Sequence, residues 1–219
     1  MSESFDGVIR EYIDFVNRQV GVYMDALAGF AGHHIRIERQ VHRISRPVSS
    51  CVDDKGQHIV VYASYEDPTQ PDVIHNRIIR ANDYITANSA GGSNEQQHTQ
   101  AVLVFLFTYW EYEIRPRLAT LKDVDPRLIH SDIMGDLKTL RNVILHSKAI
   151  MRPKDHIKLK KLGDMFGINQ PVHIPYENMH RIFVFIKQDC ARMLFEWQGV
   201  IDAPIQPEEI VDIALQKHK

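Results

Sequence analysis

The chain of 219 residues carries 26 Lys and Arg against 28 Asp and Glu, a formal net charge of −2, with 44% hydrophobic and 25% charged residues. These proportions are those of an ordinary globular protein and exclude a disordered chain or a polycation. Any binding of nucleic acid therefore has to come from a local basic patch.

Cys51 and Cys190 stand far apart and match no metal-ligand spacing, the pattern of a reducing compartment rather than a disulfide framework. The opening "MSESFDGVIREYIDFV" scatters charges through its apolar positions, unlike a secretory leader. The longest apolar run, Ala101–Trp110, is about half of a bilayer span. A cytoplasmic protein without membrane association is the expectation.

From about Phe5 to Val41 the sequence predicts a helix, with Val8, Tyr12, Val16, Val20, Tyr23 and Leu27 recurring at three- and four-residue steps. Gly29 and Gly32 are candidate breaks or bends within it. "HIVVYASY", His58–Tyr65, is β-branched and aromatic and reads as a strand, paired with the segment around Arg46–Val52. Pro68 and Pro71 close it, and "VIHNRIIRANDYITA" predicts a short helix. Asn88–Gln97 is loop-like in composition.

A long helix follows from about Gln96 to Leu121, apolar nearly all round in "AVLVFLFTYW" and so expected to be central and buried, with Pro116 kinking or ending it. Ser131 or Asp132 is the expected N-cap of a helix from Asp132 to Met151, stopped by Pro153. Its apolar stripe is Ile133, Leu137, Leu140, Val143 and Ile144. The next segment reads as a loop with a short helix or strand. A last long helix is expected at about Tyr176–Gly199, and a small tail helix after Pro207. The sum is a mainly α fold: a helical bundle in a single domain, with a small β-containing insertion at about residues 46–90 after the first long helix and a tail after about residue 202.

The chemistry-bearing stretch is "LRNVILHS", Leu140–Ser147. On a helix Asn142 and His146, four apart, share one face within about 40°, whereas Arg141 sits about 140° from His146. A long guanidinium can bend toward that face, or it can complete a site formed by a second helix. A symmetric dimer would pool both arginines and both histidines.

Arg, a polar residue, three aliphatics and His in "RNVILH" resemble the Arg-x4–6-His motif of the HEPN superfamily, where the residue after the arginine is typically polar. "LFTYWEYEIRPRLA" is similar to the buried helix that precedes the motif in the nuclease-like members, and "YENMHRIFVFIKQDC" is placed like their last helix. The likeness covers about Gln96 to Gly199; the strand-bearing segment resembles nothing in that family.

The resemblance implies a HEPN-like bundle acting as a homodimer and a metal-independent endoribonuclease, with no cofactor, in a prokaryotic toxin, stress or phage-defence setting that would include a cognate antitoxin protein. Cleavage by a ribose 2′-hydroxyl needs a proton acceptor, a proton donor and stabilisation of the phosphorane charge. A histidine can take the acid or base role, which falls to His146; Arg141 offers an always-charged guanidinium that can hold phosphate bidentately, and Asn142 can orient either. Glu111 is a candidate auxiliary from the preceding helix, with an ordinary helix-pairing glutamate as the plain alternative. The alternative function is a non-catalytic module that binds RNA or a protein.

Two basic stretches could meet a phosphate backbone. One offers Arg36, Arg39, Arg43 and Arg46; the other, directly after the motif helix, offers Arg152, Lys154, Lys158, Lys160 and Lys161 and is the better placed to bind RNA. Tyr109 and Trp110 read as core rather than as stacking platforms. The histidines His33, His34 and His42 lack a His-Glu-x-x-His or paired-Cys context, so no metal site is expected. "AGGSNE" lacks the Lys-Ser/Thr of a phosphate loop, and Ser147 beside His146 is no triad. An enzyme site of another class around His58 and His75 would have no specific motif behind it.

Overall fold

A computed structural model of the chain describes residues 3–43, 54–57, 59–65 and 74–199, which are mainly helical. The elements are α1 (Phe5–Arg43), β1 (Ile59–Tyr65), β2 (Ile74–Arg80), α2 (Ala81–Ala87), α3 (Ser93–Tyr109), a π-helical turn (Trp110–Ile114), α4 (Arg115–Lys122), α5 (Asp132–His146), α6 (Pro153–His156) and α7 (Tyr176–Trp197). Two compact units result, Met1–Tyr23 with Thr99–Lys219, and Met24–His98. No helix among the described residues is long and apolar enough to cross a membrane.

In the second unit α1 runs through Gly29 and Gly32 without a break. Each glycine weakens a helix by about 1 kcal/mol, too little to interrupt an element of 39 residues. β1 pairs antiparallel with β2, Ile59 opposite Arg80 and Tyr65 opposite Ile74. This corrects the expectation of a helix over "VIHNRIIR". The β-branched isoleucines suit a strand, and the helical periodicity belongs only to the seven residues of α2 that follow. The expected partner around Arg46–Val52 lies outside the described residues, as do Cys51, His58 and the tail after Pro207.

Ile37, Ala81 and Tyr84 form a buried cluster with Val41, Ile79 and Ile85 against it. The turn from α2 into α3 is tight. Gly91 has φ 72, and a Cβ on Gly92 would meet the Thr86 carbonyl oxygen at 2.5 Å. The loop expected up to Gln97 is consequently shorter, and α3 begins at Ser93.

In the first unit the buried side chains of α1 (Val8, Ile9, Tyr12, Val16), α3 (Leu103, Leu106), α5 (Leu137, Leu140, Val143) and α7 (Met179, Ile182, Ile186) build a bundle-like core. Each residue of this kind, fully withdrawn from water, contributes about 1.5–3 kcal/mol. The Tyr12 hydroxyl crosses the core, donating to the Leu106 carbonyl at 3.1 Å and lying 3.6 Å from the Met134 sulfur. α3 is not apolar all round in its surroundings: Phe105 is 62% exposed and Tyr112, just beyond it, 68%. Trp110, in contrast, is buried as expected of core.

Pro116 does not end the helix. The ring offers no N–H to the Tyr112 carbonyl and would press on it. The backbone widens instead into the π turn, where the Arg115 N–H reaches the Trp110 carbonyl. The chain then passes without a bend sharp enough to stop it into α4.

Ser131 caps α5, its hydroxyl accepting from the Met134 N–H at 3.1 Å. The expected stripe is buried at Ile133, Leu137, Leu140 and Val143, while Ile144 is half-buried. The helix ends at His146, short of the expected Met151. Lys148 and Ala149 turn left-handed, with φ 53 and 55, and Ala149 N–H closes the end on the Val143 carbonyl at 3.1 Å. Two left-handed residues with side chains cost about 1–2 kcal/mol each. They turn the chain into a short antiparallel bridge between Ile150 and Pro171, supported by the Met151 N–H on the Gln170 carbonyl at 2.9 Å.

Candidate functional site

α5 delivers the motif residues to the surface. Asn142 and His146 are both exposed on one helix face, and Arg141 is half-buried at its edge. The Arg141 guanidinium does bend toward Asn142: its Nη1 donates to the Asn142 Oδ1 at 2.9 Å. Its Nε–H is buried without a hydrogen-bond partner. Among the described residues neither Arg141 nor His146 forms an ion pair or a hydrogen bond with a carboxylate, so the guanidinium charge stays uncompensated. A buried donor left unpaired costs about 1–3 kcal/mol.

The other end of the same helix holds a cavity of about 340 Å³. Gly135 and Lys138 of α5 line it, with Glu111 and Arg115 from the preceding helical run and Lys158 and Lys160 from the segment that follows α6. Glu111 is therefore placed against the first half of α5, paired with Arg115 at 2.9 Å. His146 is seven residues beyond Thr139, about 10 Å along the axis. The structure thus brings Arg141 and Asn142 together, holds His146 on the face of Asn142, and sets Glu111 apart from them.

The second basic stretch returns along α5. After the Ile150 bridge the chain passes through α6 and reaches the second turn of α5 again. There the Asp136 carboxylate accepts the backbone N–H groups of Lys160, Lys161 and Leu162 at 2.8, 2.7 and 2.8 Å. Asp136 is 1% exposed, so these charge-assisted bonds lie where water competes little. The effect is to latch a segment with five cations and one carboxylate (Arg152 to Lys161) to the first half of α5 at Asp136.

Arg152, Lys154, Lys158, Lys160 and Lys161 are all exposed. Lys158 pairs with Asp155 at 2.9 Å and Lys160 with Asp132 at 2.7 Å. Lys160 holds the Asp132 carboxyl below its ordinary value, chiefly through that hydrogen bond. Exposed pairs of this kind are worth at most about 1 kcal/mol, so a phosphate can exchange into them.

Arg36 and Arg39, on the first basic stretch, are also exposed. The side chains of Arg43 and Arg46 lie outside the described residues, as does that of His42. His33 and His34 make protein contacts, with the Tyr84 hydroxyl and the Ile85 carbonyl. Cys190 is buried, and burial pushes its thiol well up. Such a thiol is no nucleophile at neutral pH.

Sequence reasoning missed the cavity. Its signal was present in Gly135, a glycine in a helix interior three residues before an exposed lysine. Among the described residues the fold defines a mainly helical protein. No family model, curated protein or solved structure matches the chain.

Proposed function

We propose that the protein is a HEPN-type, metal-independent endoribonuclease whose reacting groups are Arg141, Asn142 and His146. The observation that carries the reading is the uncompensated Arg141 guanidinium, bent onto Asn142, at the edge of the helix face that exposes Asn142 and His146. The basic segment latched to the same helix at Asp136 supplies non-specific attraction for the RNA backbone.

In the reaction the ribose 2′-oxygen attacks phosphorus and its proton passes to a base. The 5′-oxygen leaves with a proton from an acid, giving a 2′,3′-cyclic phosphate and a 5′-hydroxyl. Arg141 stabilises the charge that builds on the phosphoryl oxygens. Each chain brings one imidazole to this surface. A second copy related by a two-fold axis brings the other, so that one histidine serves as base and its mate as acid. A toxin or phage-defence setting, with a protein antitoxin, follows from the HEPN resemblance alone.

The test is cleavage of mixed RNAs in EDTA by the wild type, Arg141→Ala and His146→Ala, with melting curves for all three. Wild-type cleavage and its loss by at least about 100-fold in each variant, at unchanged melting temperature, is the expected result. Undiminished cleavage by His146→Ala refutes the assignment. The second reading, a module that binds RNA without cutting it, is favoured by one observation: among the described residues no side chain hydrogen-bonds or ion-pairs with His146. Shifted but intact RNA would establish it.

A further inference from the structure

We infer that the cavity at the start of α5 is a subsite for one unpaired nucleotide of a single-stranded RNA. This rests on the RNA reading of the α5 face but concerns a place that the motif does not reach. The first argument is Gly135. A glycine inside a helix costs about 1 kcal/mol relative to alanine, and here neither usual reason for one applies. No positive φ is required, and no atom lies within 4 Å of where its Cβ would stand. The empty space in front of it is the cavity itself. Glycine is explained if an occupant packs on the helix backbone at that point.

Size and charge say what the occupant is. A volume of about 340 Å³ sits at the small end of ligand pockets, which run from about 300 to 1,000 Å³; it takes a single nucleoside and no longer segment. The edges of Phe107 and Met134 offer apolar surface for a base. Its charged lining is mostly paired within itself: Arg115 with Glu111, Lys160 with the exposed Asp132, and Asp136 with backbone N–H groups, while Lys158 pairs with Asp155. Lys138, which has no ion pair among the described residues, is left to meet a phosphate.

Geometry links the subsite to the motif. Gly135, Thr139, Asn142 and His146 follow one another at helical steps of four, three and four, which keeps them on one face. Eleven residues of rise separate Gly135 from His146, about 16 Å. A single strand that runs along this face from the cavity therefore places the bound nucleotide a few linkages from His146. Recognition at this distance would make cutting depend on an unpaired nucleotide at a fixed offset.

The experiment measures binding of a fluorescein-labelled single-stranded 12-mer RNA and of a blunt duplex of the same sequence, using His146→Ala protein so that the RNA survives. Gly135→Leu and Lys138→Ala are introduced into that background. Gly135→Leu fills the cavity without displacing any neighbour, and its melting temperature should hold or rise. Single-strand affinity should fall at least tenfold with Gly135→Leu, while duplex affinity should change less than twofold. Lys138→Ala should reduce the salt slope by about one contact.

Unchanged single-strand binding, absent binding, or equal losses for duplex and single strand each overturn the inference. Cleavage by the wild type separates the two claims. Binding that depends on Gly135 without any cleavage keeps the subsite and removes the nuclease. Cleavage whose KM is indifferent to Gly135→Leu keeps the nuclease and removes the subsite.

Discussion

Replacing Asp136 by alanine should loosen the basic segment from α5 and destabilise the fold by about 3 kcal/mol. The magnitude follows from three hydrogen bonds of 2.7–2.8 Å to one carboxylate that is 1% exposed. Bonds to a charged acceptor contribute about 1.5–3 kcal/mol each, but the losses are unequal. Lys160 and Lys161 are exposed and their amides can turn to water, at about 1 kcal/mol apiece. Leu162 is 0% exposed, and its stranded N–H adds about 1–3 kcal/mol. Removing a buried charge returns part of the sum. Asp136→Asn keeps one acceptor oxygen and turns an NH2 toward a donor, so an intermediate loss of about 2 kcal/mol is expected. Urea unfolding followed by circular dichroism gives the free energies, and brief trypsin treatment reports whether cutting at Lys158, Lys160 and Lys161 accelerates. An alanine variant within about 0.5 kcal/mol of wild type, with the same tryptic pattern, would show that the latch is not what holds this segment.

Glu11 accepts a bidentate pair from Arg117 at 2.9 and 2.7 Å and a bond from Tyr109. Those partners, Arg117 first, hold its carboxyl at about 2 rather than the ordinary 4.5. A depressed carboxyl stabilises the fold above its unfolded value and loses that contribution as pH falls toward the folded one. Because 38% of the side chain meets water, screening leaves about 1 kcal/mol. Glu11→Gln should therefore be less stable than wild type at pH 7, and the gap should narrow from pH 5 to pH 3; a constant or widening gap contradicts this. Ala149→Gly, at φ 55, should raise stability by about 1 kcal/mol by relieving the left-handed strain, visible as a melting point higher by a few degrees. A lower melting point would show that the Ala149 methyl packs more than the backbone suffers.

Much of the helical layout was legible because amphipathic spacing is local. The stripe from Ile133 to Val143 and the cap at Ser131 both appear in the sequence as they stand in the structure. What escaped depends on partners distant in sequence. In "IHNRIIR" Ile74 and Ile78 stand four apart, a spacing that shares a face in a helix or in a strand, so only its pairing with Ile59–Tyr65 decides that it is a strand. The end of α5 at His146 is set by the bridge of Ile150 to Pro171, 21 positions on. Pro116 shows the limit of a strong local rule: a π turn absorbs it.

The site divides in the same way. That Asn142 and His146 share a face is a matter of helical geometry, and the bend of Arg141 toward Asn142 was allowed by it but not dictated. The role of Asp136 as an anchor for residues 24 to 26 positions later could not be read from its neighbours. Nor could the separation of Glu111 from His146, because the opposition of α3 and α5 sets which residues meet.

The chemistry of the RNA ends tests the central claim most directly. Fragments produced by the wild-type protein in EDTA, analysed by mass spectrometry, should carry 2′,3′-cyclic phosphates and 5′-hydroxyls, and none should form with His146→Ala. Intact RNA, or fragments ending in 5′-phosphates, would contradict the account.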